Sequence, residues 1–263
     1  METNRQHRKL DNNNIISYLS GKPVSIVVSN ISKSFGSNQV LRNLTLEVNS
    51  SETLVILGKS GSGKSVLLKH IIGLISPDTG SIYINGDNVT QQFDRAKHKV
   101  AMVFQSSALL NSITVKENVA LYLKEHRIIS DEQKLSSLVS SCLSIVDLEG
   151  KEDIMPSNLS GGMKKRVAVA RALMMNPDLI LFDEPTAGLD PMMVGNIAEL
   201  INGLKQNVKV TQIVVTHNVN LASKIADRIA ILYNGKILSI GTFDEMRLST
   251  EPEIRQFFDS SLN

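Results

Sequence analysis

The chain has one cysteine, Cys142, in 263 residues. It cannot build an internal disulfide framework, and a lone thiol suits a reducing compartment. Its charges nearly cancel, with 28 Lys and Arg against 26 Asp and Glu for a formal net charge of +2. Such a balance gives no general electrostatic pull toward nucleic acid. Long apolar runs are lacking too. The longest, such as "LVIL" and "IIGLI", fall far short of the roughly 18 residues a helix needs to cross a bilayer. The first residues, "METNRQHRKLDNNNIISYLSGKP", lack the apolar core of a secretory signal. They read as a polar extension over 1–23, disordered or loosely docked. The histidines (His7, His70, His98, His126, His217) are scattered without paired-ligand spacing, which argues against a structural metal site. No internal repeat or low-complexity linker interrupts the chain. What remains is an ordinary globular composition, 42% hydrophobic with a mean hydropathy of −0.01. The length fits one large α/β domain, or one domain with a subdomain.

Within that composition, apolar runs alternate with helical spacing. "VSIVVSNISKSF" (24–35) and "LRNLTLEV" (41–48) read as antiparallel strands, the first partly alternating. "TLVILG" (53–58) is a continuous apolar run that stops at glycine, as a fully covered parallel strand does. A helix is expected from Gly63 to about Leu74, with strands at 80–86 and 99–105. Residues 106–158 are then expected to be mostly helical, since "DEQKLSSLVSSCLSIVDL" spaces its apolar residues by three and four. Alternation resumes with a helix after Ser160, strand 179–184, helix 191–207, strand 212–217 and helix 218–227. A hairpin over 228–241 turns at Asn234-Gly235. Two short helices, near "TFDEMRLS" and "EPEIRQFFDS", close the chain. The fold class is α/β, with a mostly parallel core sheet covered on both faces. Ligands gather at the C-terminal strand ends of such sheets.

"GKSGSGKS" (58–65) follows one of those strands and opens a helix, the context a phosphate-binding loop requires. Gly58, Lys59, Ser60, Gly61, Ser62 and Gly63 form the cradle, which runs on through Lys64 and Ser65 into Val66. Gly61 and Gly63 let consecutive N–H groups point at a β-phosphate, Lys64 reaches the β and γ oxygens, and Ser65 offers a hydroxyl to Mg²⁺. "LILFDEP" (179–185) adds two acids at the end of a buried strand. Asp183 can hold the Mg²⁺ shell. Glu184, pointing the other way, can accept a proton from an attacking water. Farther along, "LSGGMKKRVAVARAL" (159–173) places a serine and two glycines at a second helix start, another arrangement suited to an anion. One chain of this size has no evident use for two phosphate cradles.

The ordered set of the P-loop, "FQ" (104–105), "LSGGM" (159–163), "LILFDEPTAGLD" (179–190) and "VVTH" (214–217) resembles the nucleotide-binding subunit of ABC transporters over roughly residues 24–241. The resemblance implies a P-loop NTPase with an N-terminal antiparallel β subdomain, an inserted α-helical subdomain at about 106–176, and a C-terminal helical extension over 242–263. It implies ATP and Mg²⁺ as cofactors and ATP hydrolysis coupled to transport. Residue by residue, Phe35 stands where the family stacks an aromatic on adenine, though a core aromatic is the other reading. Gln105 resembles the Q-loop glutamine, a sensor of Mg²⁺ and the γ-phosphate. Asp190 resembles the D-loop aspartate, and His217 the switch histidine. Asn218 departs from the commoner aspartate. Ser160, Gly161 and Gly162 resemble the signature that closes over the ATP of a facing subunit, so the second cradle implies a second copy of the chain.

Further partners follow from the same resemblance. With no span of its own, the chain is expected on the cytoplasmic face of the inner membrane, bound to separate permease subunits. Leu109, Leu110 and Val115 are either exposed there to receive the permease or part of the helical subdomain's own core. Subfamily features, such as "GKSGSGKSVLLKHIIGL" and "EPTAGLDP", resemble the Mla/Mce-type ATPases of phospholipid trafficking. They imply a lipid-binding substrate protein and a small cytoplasmic regulator as additional partners, and no nucleic acid. Alternatives are an ATPase for another solute importer, or a non-transport ABC regulator of a membrane or division complex.

Overall fold

The structure is a computed structural model that describes residues 18, 19 and 21 to 259. It is an α/β architecture with two sheets. The first holds β1 (Ile26–Phe35), β2 (Asn38–Val48), β4 (Thr79–Ile84) and the short β5 (Asp87–Asn88), in the order β2-β1-β4-β5 with antiparallel pairing. The second holds β3 (Thr53–Leu57), β6 (Val100–Val103), β7 (Leu179–Asp183), β8 (Thr211–Thr216), β9 (Arg228–Tyr233) and β10 (Lys236–Gly241), in the order β10-β9-β3-β8-β7-β6. Its pairings are parallel except at the β9–β10 hairpin. The hairpin turns through Asn234 and Gly235, both with positive φ. That backbone is the Asn-Gly signature of a two-residue turn.

The unbroken apolar runs of the second sheet divide between two cores. Leu54, Ile56, Leu179, Leu181, Ile213 and Val215 face one cluster together with β1, β2 and β4. Val55, Leu57, Ile180, Phe182 and Val214 face the other, with the helices. Alternate residues point to opposite faces, so a strand buried on both sides needs an apolar residue at every position.

The first helix, α1 (Lys64–Ile71), packs Leu67, Leu68 and Ile71 into the core shared with the antiparallel sheet. The second core receives α2 (Val115–Glu125), α3 (Glu132–Ile145), α4 (Gly161–Leu173), α5 (Pro191–Val208) and α6 (Val219–Ile225). Thr114 starts α2 with a reciprocal cap, its hydroxyl accepting from the Glu117 N–H while the Glu117 carboxylate accepts from the Thr114 N–H. Asp131 caps α3 by accepting from the N–H groups of Gln133 and Lys134.

One expectation needs correction, and one open alternative is resolved. Residues 1–17 and 20 lie outside the described residues, but Tyr18 and Leu19 are firmly docked. Leu19 is buried in the second core, and the Tyr18 hydroxyl donates to the Met174 carbonyl at 3.0 Å. Val115 is fully buried in the helices' core, and Leu109 packs against it. Only Leu110 stays open, 45% exposed. The two C-terminal helices form as expected and pack onto the body. After α7 (Phe243–Arg247), α8 (Pro252–Asp259) drives Ile254, Phe257 and Phe258 into the second core, with Phe258 edge-on to Phe243 at 5.6 Å between ring centres. Period-three spacing in "EIRQFF" carries this face, but its destination is a long-range matter. Phe258→Ala is expected to lower unfolding free energy by about 3 kcal/mol, measured by chemical denaturation. A change near zero would show that the C-terminal helix contributes no core.

Candidate functional site

The site is assembled by strand order. β3, β8 and β7 are neighbours in the sheet, and their C-terminal ends release Gly58, His217 and Glu184 side by side. The Gly58 N–H donates to the Thr216 carbonyl at 3.2 Å, and the Glu184 N–H donates to the Val215 carbonyl at 2.9 Å, so the ladder's last rungs fix these residues. Glu184 takes φ 47° in the left-handed region, a conformation that costs a non-glycine residue about 1–2 kcal/mol. The two neighbouring carboxylates take different partners, Asp183 meeting Ser65 and Glu184 meeting Lys64, Thr216 and His217.

The Glu184 carboxylate is buried and fully engaged. One oxygen lies 3.1 Å from the Lys64 ammonium. The other accepts from the Thr216 hydroxyl at 3.1 Å and lies 3.0 Å from His217 Nδ1. Lys64 also donates to the carbonyls of Gly58 at 2.7 Å and Lys59 at 3.2 Å. Its three donors are thus spent on the loop and on Glu184. The His217 ring is 59% exposed.

Above this pair opens a cavity of about 410 Å³. Ser60, Gly61, Gly63, Lys64, Ser65 and Val66 line one side, with Val40, Gln105, Glu184 and His217 completing it. Gly63 precedes α1 with φ 104°, and a Cβ there would stand 2.8 Å from the Leu41 side chain. No side chain caps α1, and its first turn carries no acid. Its free N–H groups and positive dipole end are left for an anion. The Ser62 hydroxyl is shielded from solvent and has no hydrogen-bond partner. A cationic, donor-rich loop with an unsatisfied hydroxyl fits a polyphosphate.

Beside the cavity the Ser65 hydroxyl donates to Asp183 Oδ1 at 2.9 Å. Burial raises the Asp183 pKa, against the Ser65 hydrogen bond and Lys64, which lower it. A buried carboxylate and a hydroxyl in contact, with Gln105 on the same cavity, are the hard oxygen donors that Mg²⁺ takes.

The other residues singled out from the sequence lie apart. Phe35 ends β1, is 50% exposed, and carries the Lys33 ammonium 5.7 Å from its ring centre. It does not line the cavity. Ser160 is the N-cap of α4, its hydroxyl accepting from the Met163 N–H at 3.3 Å. Asp190 caps α5, accepting from the Met193 N–H at 3.0 Å. Gly161 and Gly162 run beside this second cap, against Leu189 and Met193. None of the five residues Ser160, Gly161, Gly162, Asp190 and Phe35 lines the P-loop cavity of its own chain.

Sequence reasoning passed over Val40 and Thr216. Val40 carries no motif. Thr216 stands in "VVTH", between Val215 and His217, and its hydroxyl reaches Glu184. Cys142 is an inert thiol, buried, donating to the Ala170 carbonyl, and pushed up to about 12. Among the described residues there is no cluster of His, Cys, Asp and Glu able to hold a metal, and no helix long and apolar enough to cross a membrane.

Comparison with known proteins shows the family. The ABC transporter family description matches residues 41–187. The "Probable ribonucleotide transport ATP-binding protein mkl" of Mycobacterium tuberculosis is 37% identical over 240 residues, covering 90% of this chain and 67% of the relative. The "Protein TRIGALACTOSYLDIACYLGLYCEROL 3, chloroplastic" of Arabidopsis thaliana is 37% identical over 259 residues, covering 91% and 75%. Among solved structures, the dimeric post-hydrolysis state of the ATP-binding cassette MJ0796 with ADP and Pi superposes with a TM-score of 0.73 at 33% identity, covering 83% of this chain and 98% of that one. The chain belongs to the ABC transporter family, as an ATP-hydrolysing cassette of P-loop α/β fold whose cofactors are ATP and Mg²⁺.

Proposed function

We propose that this chain is the ATPase subunit of a membrane transporter. In this reading it pairs head to tail with a second copy, and each P-loop meets the other copy's Ser160, Gly161 and Gly162. The observation that carries it is the division of the motifs. The P-loop, Gln105, Glu184 and His217 line one cavity, with Asp183 beside it on the Ser65 hydroxyl, whereas Ser160 and its glycines form a helix end outside it.

The chemistry then runs through the residues described. Lys64 leaves Glu184 for the β and γ oxygens of ATP, which frees the carboxylate. Glu184 accepts the proton of a water whose oxygen attacks the γ-phosphorus, and the bond to the β-phosphate oxygen breaks with its electron pair on ADP. His217 bonds the γ-phosphate and steadies Glu184. Gln105, Ser65 and Asp183 would hold Mg²⁺, which when bound offsets charge on the phosphate oxygens. Phe35 supplies a π-face to adenine, and Asp190 aligns the facing copy. Residues 24–241 form the cassette, with 106–176 as its helical subdomain. Residues 1–23 and 242–263 flank it, partly fused to its core.

For the cargo, the sequence resemblance to the Mla/Mce-type ATPases favours phospholipid, and the glycolipid in the Arabidopsis relative's name favours a lipid of some class. The cassette would sit on the cytoplasmic face of the inner membrane beneath a separate permease. A substrate-binding lipid carrier and a small regulator complete the complex. Leu110 is an open apolar residue available to the permease. The mycobacterial relative's name favours a second reading, transport of a ribonucleotide-like solute. Capture of the tagged chain from solubilised membranes decides. Recovery of a permease with bound phospholipid supports the first reading. Recovery with a solute importer or a division protein, free of lipid, removes it.

A further inference from the structure

The loop after β6 carries two consecutive non-glycine residues in the left-handed region, Ser107 at φ 63° and Ala108 at φ 47°. Such backbone persists only where its surroundings hold it. Here the holders are two cations on α4. The Lys165 ammonium donates to the Gln105 carbonyl. The Arg171 guanidinium forks over the next turn, Nη1 to the Ala108 carbonyl at 2.7 Å and Nη2 to the Ser107 carbonyl at 3.0 Å. Lys165 is buried, at 5% exposure. A lysine at a core-facing helix position is tolerated only when its charge is met. Burial lowers its pKa, and the negative fields of Asp183 and Glu184 oppose that shift.

Helix packing alone does not require these residues. A leucine or methionine at 165 would fill the space without an ion to satisfy. What a cation adds is a fixed distance between α4 and the loop backbone. The same helix begins at the Ser160 cap, and the same loop begins at Gln105, on the wall of the cavity.

We propose that Lys165 and Arg171 are positioning residues for ATP hydrolysis. They clamp the Gln105–Ala108 backbone to α4, so that the Gln105 side chain and the Ser160 helix end move as one body. The clamp couples the group that senses a chain's own nucleotide to the group offered to the facing copy's nucleotide. It rests on the role given to Gln105 in the proposed function.

The test uses the full-length chain and steady-state MgATP hydrolysis. Lys165→Met keeps the apolar stem and removes the donor, and Lys165→Arg keeps the charge. Lys165→Met is expected to lower kcat about tenfold with KM changed less than about twofold, and Lys165→Arg to restore most of the rate. The Gln105→Ala and Lys165→Met changes together are expected to cost no more than Gln105→Ala alone, as for groups acting as a unit. Arg171→Lys is a second, milder probe. It is expected to raise amide hydrogen exchange at 105–108 while α4 keeps its protection. If Gln105→Ala slows turnover and Lys165→Met does not, the clamp is wrong and the site reading stands. If Gln105→Ala itself hydrolyses at the parent rate, both fall. Additive losses, or unchanged exchange in Arg171→Lys, also overturn the clamp.

Discussion

Glu184→Gln is expected to reduce ATP turnover by roughly two to four orders of magnitude while leaving ATP binding intact. The amide is nearly isosteric with the carboxylate. It can still meet Thr216 and His217, which hold the carboxylate at 3.1 and 3.0 Å. What it loses is the ability to take a proton. The backbone should not object, because glutamine and glutamate have the same difficulty at φ 47°. Binding should hold or improve, because the Lys64 ammonium now has no carboxylate competing with phosphate for it. Trapped with uncleaved ATP, the variant should accumulate as a dimer. Turnover by phosphate release and binding by nucleotide-dependent thermal shift give both readouts. Hydrolysis near the parent rate would remove Glu184 as the base.

Lys64→Ala is expected to act on the other half of the pair, and to act on binding. The lysine makes three contacts in the site, and two of them hold the P-loop's own carbonyls. Alanine withdraws a charged donor from the phosphates and loosens the loop. It also leaves Glu184, buried, with one cation fewer. A charged hydrogen bond contributes about 1.5–3 kcal/mol, so ATP affinity should fall by roughly ten- to a hundred-fold. In nucleotide titrations followed by thermal shift, the stabilisation by ATP should largely vanish. An unchanged midpoint would mean that the cradle does not hold phosphate through Lys64.

Local pattern made the strands and the P-loop readable. "LVIL" reads as two-sided burial because side chains alternate, and the structure sends Leu54 and Ile56 to one core and Val55 and Leu57 to the other. Asn234-Gly235 reads as a turn because its backbone demands positive φ, which both residues adopt. The cradle reads from glycine spacing for the same local reason. What was not readable depends on partners far along the chain. Val115 and Leu110 look alike in sequence, yet one fills the core and the other is open. Tyr18 and Leu19 look like tail, but their burial is decided by Met174 and the core beside it. Lys165 sits in a basic run, and its burial against the Gln105 carbonyl, where Lys164 and Arg166 stay partly exposed, is set by a loop far away in the chain. Thr216 and Val40 join the site through sheet order and packing, which no spacing reveals.

The central claim is that Ser160 serves the nucleotide of a second copy. Sedimentation velocity in the Glu184→Gln background, with and without ATP, tests it most directly when Ser160→Arg is added. The expected result is that ATP drives the Ser160 chain to a dimer. With Ser160→Arg the chain stays monomeric, while the monomer still binds ATP. A Ser160→Arg monomer that has lost ATP binding, or one that dimerises with ATP as readily as its parent, would contradict the shared site.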